Sequence, residues 1–157
     1  MSPPVIEQNL HFLRQGAVLL QRLDNEAYCW TRDDRPRAAG IGPHFRHCLD
    51  FYRCFLRDLA SGRIDYDSRD RQPETETRVL VALATIEGIL EGLSAIDDEQ
   101  GRREIMVHHD ELPGEDPATA WHHSTVTREL RFLASHTVHH YALIAPLVRE
   151  QGIDLDE

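Results

Sequence analysis

Ser135-His136-Thr137-Val138-His139-His140-Tyr141 lies inside an apolar-periodic segment running from about Thr127 to Gln151. Leu133, His136, His140, Leu143 or Ile144, and Leu147 recur at steps of three and four residues. That period predicts a long helix whose apolar, core-facing stripe includes two histidines. His136 and His140 then stand about 40° apart around the axis and about 6 Å along it, near enough to share one divalent ion. A buried imidazole without a partner is costly, and coordination removes that cost by using the lone pair. His139 is turned about 60° the other way from His136 and is the weaker candidate. The competing reading is a helix–helix seam in which the pair bonds to Tyr, Asp or backbone groups.

Outward from this segment, the same period predicts three more helices. The first runs from about Val5 to Leu23, with Ile6, Leu10, Leu13, Val18 and Leu20 among its apolar positions. A polar stretch from Asp24 to Gly40 reads as a loop. The second helix opens near Gly42-Pro43 and stops at Ser61-Gly62, with an inward stripe of His44, His47, Phe51, Cys54 or Phe55, and Leu59. A charged loop, Ile64-Asp65-Tyr66-Asp67-Ser68-Arg69-Asp70-Arg71, precedes a third helix starting around Pro73-Glu74 and carrying Val79, Leu80, Leu83, Ile86, Leu90 and Leu93. Between Gly101 and Ser124 the pattern changes to a small hairpin or extended excursion around Leu112-Pro113-Gly114. The last helix is expected to stop at Gly152 and to bend at Pro146, which frees the Ala142 carbonyl. The expected fold is all-α: one four-helix bundle over residues 1–157, with a small hairpin between its third and fourth helices.

Composition narrows the function classes. The formal charge is −10, which argues against nucleic acid, because phosphate binding needs a basic patch. All 17 basic residues are arginine, so a Schiff-base lysine or lysine general base is excluded. Neither a signal peptide nor a membrane span is expected. Cys29, Cys48 and Cys54 are odd in number and without paired spacing, which points to free thiols in a reducing cytoplasm.

A third ligand is sought in Gly42-Pro43-His44-Phe45-Arg46-His47. His47 shares its helical face with Phe51, whereas Cys54 is about 10 Å down the axis, too far to join the same ion. Cys48, rotated about 100° from His47, reads as a plain core or seam thiol. His44 lies one turn before His47 and either replaces it or supports a ligand with a hydrogen bond.

Gly42-x-His44-x-Arg46-His47-x-x-Asp50 in the second helix and His136-x-x-x-His140 in the last, in this order and separation, resemble the DinB/YfiT-like superfamily of small metal-binding four-helix bundles. Tyr66-Asp67-Ser68-Arg69-Asp70-Arg71, followed by Glu74 or Glu76, is similar to a stretch in an uncharacterised group of that superfamily. The resemblance implies a metal held by His47, His136 and His140, with open positions for water, thiol or substrate. Nickel, zinc, iron and manganese all suit three nitrogen ligands. Some members resemble thiol-dependent transferases acting with low-molecular-weight thiols, so the expected activity is a transferase or hydrolase reaction on a small molecule. A homodimer is the expected assembly. The alternative is a non-catalytic metal-binding or oligomeric module, structural or stress-related.

Two further groups remain. Tyr66, Arg69 and Arg71 are candidates for substrate binding, as an anion-gripping lip; the competing reading is an ion-pair network tying the loop down. The tandem pairs His108-His109 and His122-His123 suggest a second metal across the hairpin. Strand alternation, however, lets at most one histidine of each pair share a face.

Overall fold

The computed structural model describes residues 2–110 and 112–155. Six helices are present among them: α1 (Pro4–Gln21), α2 (Asn25–Cys29), α3 (Ile41–Asp58), α4 (Val79–Ser94), α5 (Asp98–Gly101) and α6 (Val126–Glu150). Three short strands, β1 (Arg63–Asp65), β2 (Glu104–His108) and β3 (Trp121–Thr125), form one sheet in the order β1-β2-β3. The all-α expectation is therefore corrected: the chain is mainly helical with a small mixed sheet.

The four long helices fall close to where the apolar period puts them. Pro4 opens α1 at a position where its missing N–H costs nothing. Thr125 caps α6 by accepting from the Arg128 N–H at 3.2 Å, and Gly152 ends the helix with φ +75°. Pro146 lies inside α6, which continues past it to Glu150. In the loop from Asp24 to Gly40, α2 and a 3-10 turn at Arg37–Ala39 give the chain local structure.

The third helix begins later than expected, at Val79. Pro73–Glu76 forms a separate 3-10 turn held against α3. Gly42 makes that approach possible, since a Cβ there would lie 1.8 Å from the Glu76 carbonyl oxygen. The Asn25 side chain then caps α4 by accepting from the Val79 N–H at 2.9 Å.

α1 packs on α4 and α6, and α3 packs on α6 and α4. The core between them is built from Ile6, Leu10 and Leu13 of α1, Phe45, Leu49 and Phe55 of α3, Ile86 and Leu93 of α4, and Leu130, Leu133 and Ile144 of α6. One buried polar chain crosses it. Thr137 donates to the Tyr52 hydroxyl at 3.2 Å, Tyr52 donates to Asn9 Oδ1 at 2.6 Å, and Asn9 Nδ2 donates to the Leu130 carbonyl at 3.0 Å. Each member has a partner, so the chain fixes the register of α1, α3 and α6 without leaving an orphan polar group.

The sheet lies on one side of this body. β2 and β3 pair antiparallel, with Met106 opposite His123, Val107 opposite His122 and His108 opposite Trp121. This is the expected hairpin. β1 adds to β2 in parallel, with Asp65 opposite His108, in a segment whose charge reads as a loop. Fully buried Ile64 anchors it between exposed Arg63 and half-buried Asp65. No helix among the described residues is long and apolar enough to cross a membrane.

Candidate metal centre

On α3 the expected stripe is buried at Phe51, Cys54 and Phe55, while toward the helix start the core positions are Phe45, Cys48, Leu49 and Tyr52, beside His44 and His47. On α6 the buried line runs through Leu130, Leu133, Thr137 and Ile144. His44, His47, His136 and His140 therefore stand at the border of the α3–α6 seam, each half-buried. That position suits a reactive centre better than the core would, because solvent and a ligand still reach it.

His47, His136 and His140 converge. One ring nitrogen from each lies within 4.8 Å of the other two. His140 Nε2 faces His136 Nε2 at 3.2 Å, and the His47 ring centroid is 4.9 Å from both partner rings. Two imidazole nitrogens at such a distance share either a proton or a cation. Nitrogens bound at 2.0–2.1 Å to one ion stand roughly 2.9–3.4 Å apart at ordinary coordination angles. The His136–His140 spacing of 3.2 Å fits, and a His47 nitrogen lies within 4.8 Å of both.

The other nitrogen of His140 is also engaged. His140 Nδ1 and His44 Nδ1 are 2.9 Å apart. With the proton on His140 Nδ1 and donated to His44, the His140 Nε2 lone pair is left directed at the centre, the tautomer a ligand needs. His44 thus stands behind His140 and is not one of the three converging residues. His139 is exposed; its ring lies 5.2 Å from that of His140, but it is not one of the three converging residues.

Burial and the neighbouring imidazoles push His47, His136 and His140 down from the ordinary 6.5 to about 4. His44 is lowered for the same first reason, burial. The group is accordingly neutral at physiological pH, with its lone pairs free for coordination. Cys48 is a buried thiol pushed far up by desolvation, as its place in the core demands. All three cysteines are free.

Phe51 and Phe132 close one side of the centre. The Phe51 ring is 4.6 Å from His136 and 5.0 Å from His47, and Phe132 stacks on His136 at 5.7 Å. The Arg69 guanidinium sits over the Phe51 ring, 4.4 Å from its centroid. Its charge reaches both His47 and His136. Arg69 Nη1 donates to the Tyr66 carbonyl at 2.9 Å, whereas its Nε is buried without a partner.

The rest of the charged loop serves a different purpose. Tyr66 is fully buried and its hydroxyl donates to Glu129 Oε2 at 3.0 Å. Arg71 is exposed. Arg46 bridges Glu76 and Asp50, donating to Asp50 at 2.8 Å, and so ties the Pro73–Glu76 turn to α3. Of Tyr66, Arg69 and Arg71, Arg69 alone reaches the histidines, and the acidic partner of the loop is Glu76.

The tandem pairs form no common ligand group among the described residues. His108 Nδ1 bonds Asp65 Oδ1 at 2.9 Å and stacks on Trp121, while His122 and His123 are exposed on β3. His109 joins the aromatic wall, 5.5 Å from Phe51 and 5.7 Å from Phe132. Phe132 was legible as a neighbour of His136, being four residues before it on one face. His109 was not, because a loop delivers it.

Comparison with family models, with curated proteins and with solved structures found no match.

Proposed function

We propose that this chain is a divalent-metal-dependent enzyme of DinB/YfiT-like type, a transferase or hydrolase acting on a small anionic molecule. The observation that carries this reading is the convergence of three neutral imidazoles, from two of the long helices, with one ring nitrogen of each within 4.8 Å of the other two. The packing of α1, α4, α3 and α6 against one another supports the bundle type, as does the order of the histidines along the chain. Nickel, zinc, iron and manganese all remain compatible with a three-nitrogen set. When bound, such an ion supplies Lewis acidity to a thiol, water or carbonyl that enters its open positions.

The side chains around it divide the remaining work. His44 orients His140 through Nδ1. Phe51 and Phe132 keep water from one side and lower the local dielectric. No carboxylate belongs to the triad, so a divalent ion and Arg69 together leave an excess of positive charge. An anionic ligand balances it: a carboxylate gripped by Arg69, or a thiolate beside it.

Spectroscopy of the cobalt(II)-substituted protein tests this. Titration with mercaptoacetate, a small thiol bearing a carboxylate, is expected to shift the visible bands of the wild-type protein. In Arg69→Met the same shift should need about tenfold more probe, in line with the loss of one charge-assisted hydrogen bond of about 1.5 kcal/mol. Bands indifferent to the probe would favour a closed, structural site.

A further inference from the structure

His109, on the far side of the aromatic wall, belongs to a second group of potential ligands. The parallel pairing of β1 with β2 places Asp65 beside His108. The residues just past each strand, Asp67 and His109, are thereby brought together. His109 Nδ1 stands 3.5 Å from Asp67 Oδ1, and His109 Nε2 stands 3.4 Å from Asp110 Oδ2. One ligand atom from each of Asp67, His109 and Asp110 lies within 4.8 Å of the other two.

Two observations distinguish this group from an ordinary surface ion pair. His109 Nδ1 is buried and has no hydrogen-bond partner, a cost that a cation would remove. In addition, His109 and Asp110 line a cavity of about 430 Å³ together with His122, His123 and Glu129, so water has access to complete a coordination shell.

We propose that Asp67, His109 and Asp110 form a second divalent-cation site, independent of the histidine triad. Its donor set of one imidazole and two carboxylates is harder than three imidazoles and suits manganese(II). The Phe51 and Phe132 rings lie between the two groups, so the two ions share no ligand.

The test is a manganese(II) titration of the full-length, metal-stripped protein, read by electron paramagnetic resonance of the free ion. The His136→Ala/His140→Ala variant removes the triad and leaves the new site as the one measured. It is expected to bind one manganese per chain, and Asp110→Asn in that background is expected to weaken binding at least tenfold. Asp110 is exposed, so its replacement leaves the fold intact; Asp67→Asn provides the second variant. No binding by the triad-free protein, or binding unchanged by both substitutions, overturns the proposal. Loss of one equivalent on removing the triad concerns the triad alone.

Discussion

On α6, His136 and His140 turn their Nε2 atoms toward one another at 3.2 Å; on the β2–β3 hairpin, His108 bonds Asp65 while His122 and His123 are exposed to solvent. Both regions are rich in histidine, yet only the helical one brings its histidines to one another. The difference follows from backbone period. A four-residue step on a helix returns a side chain to nearly the same face, whereas adjacent residues on a strand diverge. Histidine density therefore says little, and histidine spacing within a known element says much.

The comparison can be broken or sharpened by substitution. The largest effect is expected at the centre itself. His47→Ala removes one of three ligands and should weaken zinc or nickel binding by more than about 100-fold, beyond the 10–100-fold typical of an outer partner. Calorimetric titration measures it. His44→Ala should fall within that 10–100-fold range, because it frees His140 Nδ1 without removing a ligand. An effect of His44→Ala equal to that of His47→Ala would put His44 in the ligand set.

Acidification should also separate the two regions. The folded triad titrates at about 4, below the ordinary 6.5 of an unfolded chain. Between these values the unfolded chain takes up protons that the folded state refuses, so stability falls as pH drops from about 6.5 to about 4. Thermal melts of the metal-stripped protein at pH 7 and pH 5 should show this fall. In His136→Ala/His140→Ala the fall should be shallower. A fall as steep in that variant would place its origin outside the triad.

The smallest effect is expected on the hairpin. His122→Ala/His123→Ala removes two exposed side chains and should change stability by less than about 0.5 kcal/mol. It should leave triad affinity unchanged. A loss comparable with that of His44→Ala would erase the contrast between helix and strand.

The four long helices and the His136–His140 pair were legible because both depend on local period alone. The start of the α3 stripe was less so: Phe51, Cys54 and Phe55 are buried as expected, whereas His44 and His47 are half-buried and Phe45 and Cys48 take the core positions beside them. A stripe that includes polar ligands at its edge looks wider in sequence than it is in space. β1 escaped notice because it is three residues long and its parallel partner lies about 40 residues downstream, so no turn announces it. The late start of α4 depends on Gly42 admitting the Glu76 carbonyl and on the Arg46–Glu76 pair, contacts between segments distant in sequence. Tyr66 and Arg69 were grouped by proximity in the chain, yet the turn after β1 sends Tyr66 into the core and Arg69 toward Phe51.

The central claim is that His47, His136 and His140 hold one ion. Elemental analysis tests it most directly, on purified wild-type protein and His136→Ala/His140→Ala protein, each after exposure to an excess of nickel, zinc, iron and manganese and removal of unbound metal. The account predicts, in the wild type, one more equivalent of transition metal per chain than in the variant, with both proteins folded by circular dichroism. Equal metal content in the two would contradict it.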